Sequence, residues 1–346
     1  VPEPRLPLIG AFPHVNFLRQ PRLRASLLSI AAGTGILSLK IVAFNLTGSA
    51  ALKSDAYEGI VNVLAAAFAL GAILFAEQPA DRDHPYGHGK IEHFSAAFEG
   101  GLISLAAILI LYEGILSWIR YEPLQRLELG LLVNLISGGL NGLLGWYLVQ
   151  QGRLHRSAAI EADGHHVLSD FYTTLGLLAG LLLVQLTGLR WLDSLIAILM
   201  GLWLLRTGFV LVRSSSGALL DLEDPETVEK IVSRFNQEHP AKIITLHGLR
   251  TLRSGRHTHV DVHVVIPEFL SVQEAHSLVE SYGEQVLHDL GLEGEVHSHI
   301  DPCARAYCSR CTLENCPVRA AQASHPPLPL TVDEATTPES DASADR

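Results

Sequence analysis

Apolar residues run through the first two thirds of the chain in blocks too long and too uniform for a soluble core. The blocks at 26–47, 50–76, 91–119, 128–151, 158–187 and 191–213 are separated by short polar stretches. Each reaches the roughly 20 residues that carry an α-helix across a bilayer. They predict six transmembrane spans. From residue 221 the pattern changes: a helix is predicted at 225–237, strands at 243–252 and 257–265, a helix at 272–290 and a strand at 295–299. Asp224 before Pro225 is a helix-start signal, with proline where its missing N–H costs nothing. His259, Val260, Asp261, Val262, His263 and Val264 alternate with period two, so one face of that strand is polar and the other packs on helices. The predicted fold is a membrane all-α six-helix transmembrane bundle followed by a cytoplasmic α+β domain of ferredoxin-like αββαβ order.

The layout expected from this pattern is a cytoplasmic lead-in at 1–25, a transport domain at 26–220, a metal-binding and dimerisation domain at 221–302, a cysteine segment at 303–317 and a disordered acidic tail at 318–346. Six spans put both termini on one side of the membrane. Arg19, Arg22, Arg24, Arg82, Lys90, Arg153, Arg156 and Arg213 cluster there, against Arg120, Arg126 and Arg190 opposite, so the positive-inside rule predicts cytoplasmic termini. Positions 1–24 are Pro-rich and carry Arg5 among other arginines, which reads as a lead-in and not as a cleavable signal.

Composition strengthens the membrane reading. The 346 residues are 48% hydrophobic and only 18% charged, where soluble domains carry nearer a quarter. The net charge of −11 sits mainly in the C-terminal part, and no basic cluster suggests nucleic acid. No HExxH, GxSxG or phosphate loop appears, so no enzyme is expected.

Polar residues inside the apolar blocks carry the candidate chemistry. Segments 49–62 and 157–170 align without a gap, sharing Ser-Ala-Ala and a following aspartate, Asp55 or Asp163. They lie in spans of opposite direction, and inverted repeats with polar groups near the midplane are a frequent transporter construction. Glu58 and Asn62 are four apart, as are His166 and Asp170, so each pair projects from one helix face. A charge at that depth costs about 2.5–3.5 kcal/mol on insertion scales and normally faces a cavity or a partner. Together the four offer an imidazole and several oxygens, a tetrahedral divalent-metal site in outline. Hydrogen bonding between helices is the competing role.

The segments 54–58, 162–170 and 81–92 resemble the signatures of the cation diffusion facilitator family, and the resemblance extends over about 26–302. It implies a homodimer in a bacterial inner membrane that exports zinc, iron, manganese, cobalt or cadmium in exchange for protons. The transport site it implies is Glu58, Asn62, His166 and Asp170. Zinc-type members commonly carry His or Asp at the first of these positions and Asp at the second, so Glu58 and Asn62 depart from the pattern. Asn62 takes no proton and leaves the site with a charge of about −2. Its amide oxygen is a hard, weak ligand that favours iron, manganese or cobalt, whereas imidazole suits zinc. Zn(2+) and Fe(2+) are therefore the foremost cargoes. The alternative function is a non-transporting metal sensor or scaffold on the same fold.

The resemblance further implies a loop metal site at Asp81, His84 and His88, a segment that Pro85, Gly87 and Gly89 also suit to a plain interfacial turn. It implies an ion pair of Lys90 with an acid after the last span, Asp221, that holds the dimer halves together. It implies a binuclear cytoplasmic site at His247, His263, His276, His299 and Asp301. His257, His259, His288 and His297 are expected to be surface residues. On the Cys303, Cys308, Cys311 and Cys316 motif the resemblance is silent. Four thiols within 14 residues can close a zinc site, hold an iron–sulfur cluster or form two redox-active disulfides.

Overall fold

A computed structural model describes residues 20–47, 50–120, 128–189, 191–238, 240, 242–320 and 328–337. Six long helices come first: α1 (Pro21–Thr47), α2 (Ala50–Ala76), α3 (Ile91–Arg120), α4 (Glu128–Leu154), α5 (Ala158–Thr187) and α6 (Trp191–Leu219). At 27–30 residues each they are about 40–45 Å long, enough for the hydrocarbon core and its interfaces. Among the described residues, four segments are long and apolar enough to cross a membrane: Pro21–Val42, Gly59–Ala76, Ile91–Leu116 and Ser194–Leu219. On α5 the polar residues Glu161, Asp163, His165, His166 and Asp170 crowd the first half and lower its hydropathy. Leu105, Ile108, Leu109, Leu143 and Phe209 are exposed around the bundle, as on helices that meet lipid rather than water. The expected lead-in before residue 20 and the side chains of Lys53, Asp55 and Glu58 lie outside the described residues.

The chain divides into two compact units. The first is 1–78 with 91–215, and the second is 79–90 with 216–346. In the first, α5 is held against α4 by backbone approach: a Cβ on Gly164 would meet Val149 N at 2.6 Å, and one on Gly145 would meet Gly164 O at 2.9 Å. Small residues that let helices come this close are the usual device where lipid removes the hydrophobic drive for association. Arg22 on α1 pairs with Glu77 at 2.9 Å and with Glu92 on α3, which also accepts from Ser157 just before α5. Glu92 is 1% exposed. Breaking such a buried pair strands a charge, at a cost of about 3–5 kcal/mol, so this knot fixes the helix ends that carry the polar interior.

The second unit contains α7 (Pro225–Glu238), β1 (Thr245–Ser254), β2 (His257–Ile266), α8 (Val272–Asp289), β3 (Glu293–Pro302), a 3₁₀ turn at Arg305–Ser309 and α9 (Val332–Thr336). The sheet order is β1-β2-β3, with β1 and β2 antiparallel and β2 and β3 parallel. The parallel pair needs a crossover, which α8 supplies. Val228, Ile231 and Phe235 of α7 and Ala275, Val279 and Val286 of α8 pack on Leu246, Val260, Val262 and Val264 of the strands. Segment 79–90, expected to belong to the transport domain, groups instead with this unit, because Gly89 sits against the Ser254–Gly255 turn of the β1–β2 hairpin, too close for a Cβ.

The tail departs from expectation. Residues 328–337 are ordered: Leu330 and Ala335 enter the same core, at 3% and 0% exposure. Asn236 grips Leu330 through both its backbone N–H and its carbonyl, and Thr331 and Glu334 form a capping box that starts α9. Two apolar residues and a cap suffice to dock a segment whose composition alone reads as disordered. The tail beyond 337 and residues 321–327 lie outside the described residues.

Candidate metal sites

Three groups of ligand side chains and one cysteine loop are built on this frame. The first lies inside the helical unit. Helical spacing on α2 and α5 brings Asn62 beside His166 and Asp170. Asn62 Oδ1 lies 2.9 Å from His166 Nε2, and the Asn62 amide N–H donates to Asp170 Oδ2. Asn141 of α4 reaches the same carboxylate oxygen at 3.4 Å. His166 and Asp170 are 6% and 7% exposed. The fourth expected member, Glu58, has its backbone on α2, and its side chain lies outside the described residues.

Around this cluster the structure adds residues that the repeat did not reveal. Glu99 of α3, fully buried, has a carboxylate oxygen 3.7 Å from His166 Nδ1. Ser29 of α1 donates to Asp163 at 2.6 Å, so the aspartate shared by the repeat holds a helix contact. Buried Lys40 lines a small cavity, about 20 Å³, together with Asn62 and Asn141; that is room for about one water. Glu99 and Lys40 are charges set within apolar runs, and an intramembrane ionisable residue is a functional signal by default.

The second group is the loop. Asp81 Oδ1 accepts from the backbone N–H of His84 at 2.6 Å and of Asp83 at 2.9 Å. The His84 N–H is the main cause that holds the Asp81 carboxyl below its usual range. His84 Nδ1 lies 3.2 Å and His88 Nε2 3.4 Å from the same carboxylate, and the two rings are 4.3 Å apart. All three ligand atoms fall within 4.8 Å of one another. At the end of the loop Lys90 Nζ meets Asp221 Oδ1 at 2.5 Å. Asp221 takes φ 58° just after α6, a left-handed conformation in which aspartate is tolerated better than most residues.

The third group crosses the sheet. Register sets His247 opposite His263 and His263 opposite His299, so three imidazoles stand in one row. Asp301 closes the row, 3.1 Å from His247 Nε2, 2.9 Å from His263 Nδ1 and 3.4 Å from His299 Nε2. A β-bulge after His247 has Gly248 at φ +59°, where a side chain would be strained, and the His263 ring lies 3.2 Å from the position a Cβ would take. The expected fifth member, His276, is not brought to this row: it lies on α8, 69% exposed, 3.4 Å from Glu280. Conversely, His259 and His297, expected to be plain surface residues, converge on Glu295. Strand pairing alone reveals that convergence, because the sequence separates the two residues by a whole helix.

The cysteine segment is a tight loop. All four thiols are free, and Cys308 and Cys311 are buried. Arg319 ties the loop by donating to the carbonyls of Cys308 and Cys311 at 3.2 Å each, and to that of Leu313. The Ala320 N–H points at Cys308 Sγ from 3.4 Å. Burial raises the Cys303 thiol, and neighbouring Cys311 and Cys316 add to the shift. Among the described residues no three of the sulfurs lie within 4.8 Å of one another.

Comparison with known proteins agrees with both units. Residues 26–220 match the profile of the cation efflux transmembrane domain, and residues 223–303 match that of the cation efflux protein cytoplasmic domain. An uncharacterized transporter of Synechocystis sp. is 33% identical over 277 residues, covering 80% of this chain and 89% of its own length. The cation-efflux pump FieF of Shewanella oneidensis is 31% identical over 280 residues, covering 80% and 93%; that of Yersinia pestis is 29% identical over 284 residues, covering 81% and 92%. The family is one of transporters, not of enzymes. With two matched domains that together span nearly all of the described chain, this integral membrane protein belongs to the cation efflux, or cation diffusion facilitator, family of metal transporters.

Proposed function

We propose that the protein is a homodimeric, proton-coupled exporter of a divalent transition metal, with zinc or iron(II) as the foremost cargo, manganese, cobalt and cadmium as further ones, and metal binding in the C-terminal unit as its regulator. The observation that carries this reading is the convergence of Asn62, His166 and Asp170 between α2 and α5, with His166 and Asp170 buried. The cargo site is Glu58, Asn62, His166 and Asp170. Metal and protons compete there, because imidazole and carboxylate bind metal only when deprotonated. Protonation of His166, Glu58 or Asp170 as the site opens outward therefore helps to expel the ion. In this reading six spans place both termini in the cytoplasm of a bacterial inner membrane. Asp81, His84 and His88 take up cytoplasmic metal. The His247, His263, His299 and Asp301 row, with His276 on its helix, senses metal at the dimer contact. Lys90 and Asp221 hold the halves of the dimer, and the cysteines bind a further zinc ion or a cluster.

A second reading, a metal sensor that does not transport, has one observation in its favour: Asn62 already spends both ends of its amide on His166 and Asp170. Flux of zinc and iron(II) into proteoliposomes separates the two. Wild type is expected to transport, and His166→Ala and Asp170→Ala to lose flux while keeping their dimer and helix content. Binding without flux in wild type establishes the sensor; wild-type flux in both variants removes the site.

A further inference from the structure

We infer that His259, Glu295 and His297 form a third divalent-cation site in the C-terminal unit, on the outer face of its sheet and distinct from the loop cluster and the His247–His263–Asp301 row. The face is set by alternation. Thr258, Val260, Val262 and Val264 turn into the core, so His259, Asp261 and His263 turn out. Parallel pairing then sets His259 opposite Glu295, Asp261 opposite His297 and His263 opposite His299. His259 Nδ1 lies 2.8 Å and His297 Nε2 3.2 Å from the same Glu295 oxygen, with the three ligand atoms within 4.8 Å of one another. Two ligands sharing an ion at 2.0–2.2 Å stand about 3.4 Å apart in a tetrahedral site, so small side-chain shifts admit a metal.

A bare surface ion pair explains less. Two imidazoles on adjacent strands converge on one oxygen. His259 is anchored as a ligand should be: its side chain is 12% exposed, and the Tyr86 ring packs edge-on against it at 5.2 Å. Its Nε2 is buried without a hydrogen-bond partner among the described residues. Glu295 and His297 remain open, at 53% and 59%, which leaves an ion a way in. Asp261, opposite His297, is the next oxygen ligand on the face, and water completes the shell. Two imidazoles and a carboxylate suit zinc, cobalt or iron(II) better than calcium or magnesium. Along the same face the next ligand rung, His263 with His299, lies about 13 Å from His259, four residues on.

Zinc bound to the full-length protein in detergent, counted after removal of free ion, tests the site. Glu295→Gln/His297→Gln is expected to bind one equivalent per chain fewer than wild type, to lose it independently of the equivalent lost in Asp301→Asn, and to lose both in the combined variant. Wild-type stoichiometry in a folded Glu295→Gln/His297→Gln protein overturns the inference. A second measurement needs no substitution in the site. Diethyl pyrocarbonate labelling of His297, read by mass spectrometry, is expected to slow severalfold when zinc is added, both in wild type and in Asp301→Asn. Labelling that zinc leaves unchanged overturns the site whatever the variants do.

Discussion

Asn62 is the residue on which selectivity turns. Its amide donates to Asp170 and its carbonyl faces His166, so it knits two ligands together while adding no charge for a cation. An aspartate there adds a full charge and a further proton competitor. Asn62→Asp is expected to tighten zinc binding by about tenfold, ~1.4 kcal/mol, and to steepen its loss on acidification. Zinc titrations of the purified variant at several pH values check this; unchanged affinity and pH profile place Asn62 outside the ligand shell. At this scale much was legible, because i and i+4 spacing inside an apolar run already joins His166 to Asp170. Lys40 was equally visible as a lone charge in such a run, whereas Glu99 shares its run with Glu92 and Glu113, and nothing in the sequence says that Glu99 is the one that reaches His166. His259 and His297 were illegible for a related reason: their partnership depends on the register of a parallel pair, which one sequence does not specify.

At the scale of elements, the long helices and the αββαβ order follow from periodicity, although α1 starts earlier, at Pro21, α6 runs on to Leu219 and β3 extends over Glu293–Pro302. What periodicity misses is α9, five residues long, too short to show a period. Its docking rests on Leu330, Ala335 and a capping box whose Glu334 carboxyl is held below the usual range, first by the Thr331 backbone N–H and then by Arg310. A depressed carboxyl stabilises the docked segment fully above its unfolded value, 4.5, and the contribution is lost as pH falls through the lower, folded value. Exchange of the Leu330 amide, which donates to Asn236 at 2.7 Å, reads this directly. Glu334→Gln is expected to exchange faster than wild type at neutral pH and to converge with it in strong acid. Equal rates at neutral pH mean that the apolar contacts alone hold the tail.

For the whole molecule the docked tail changes how the cysteine segment is understood. That segment follows Pro302 at the end of β3, and further along the chain Thr337, the C-cap residue of α9, accepts the Gly248 N–H at 3.0 Å, beside the bulge that seats His247. The cysteines thus lie in sequence between Pro302 and Thr337, both of which reach the sheet beside its metal-ligand row. A chain cut at about residue 320 strips Leu330 and Ala335 from the core, so the full-length protein is the right subject. Arg319 and the Ala320 N–H already organise the loop around Cys308. Wild type is expected to bind one zinc equivalent more than Cys308→Ser/Cys311→Ser under reducing conditions, and to release protons as it does so, since thiols must ionise to ligate. An iron-containing, coloured protein with visible absorption assigns a cluster instead. Equal zinc in both proteins, with thiols that oxidise readily in pairs, leaves redox chemistry as the role of the motif.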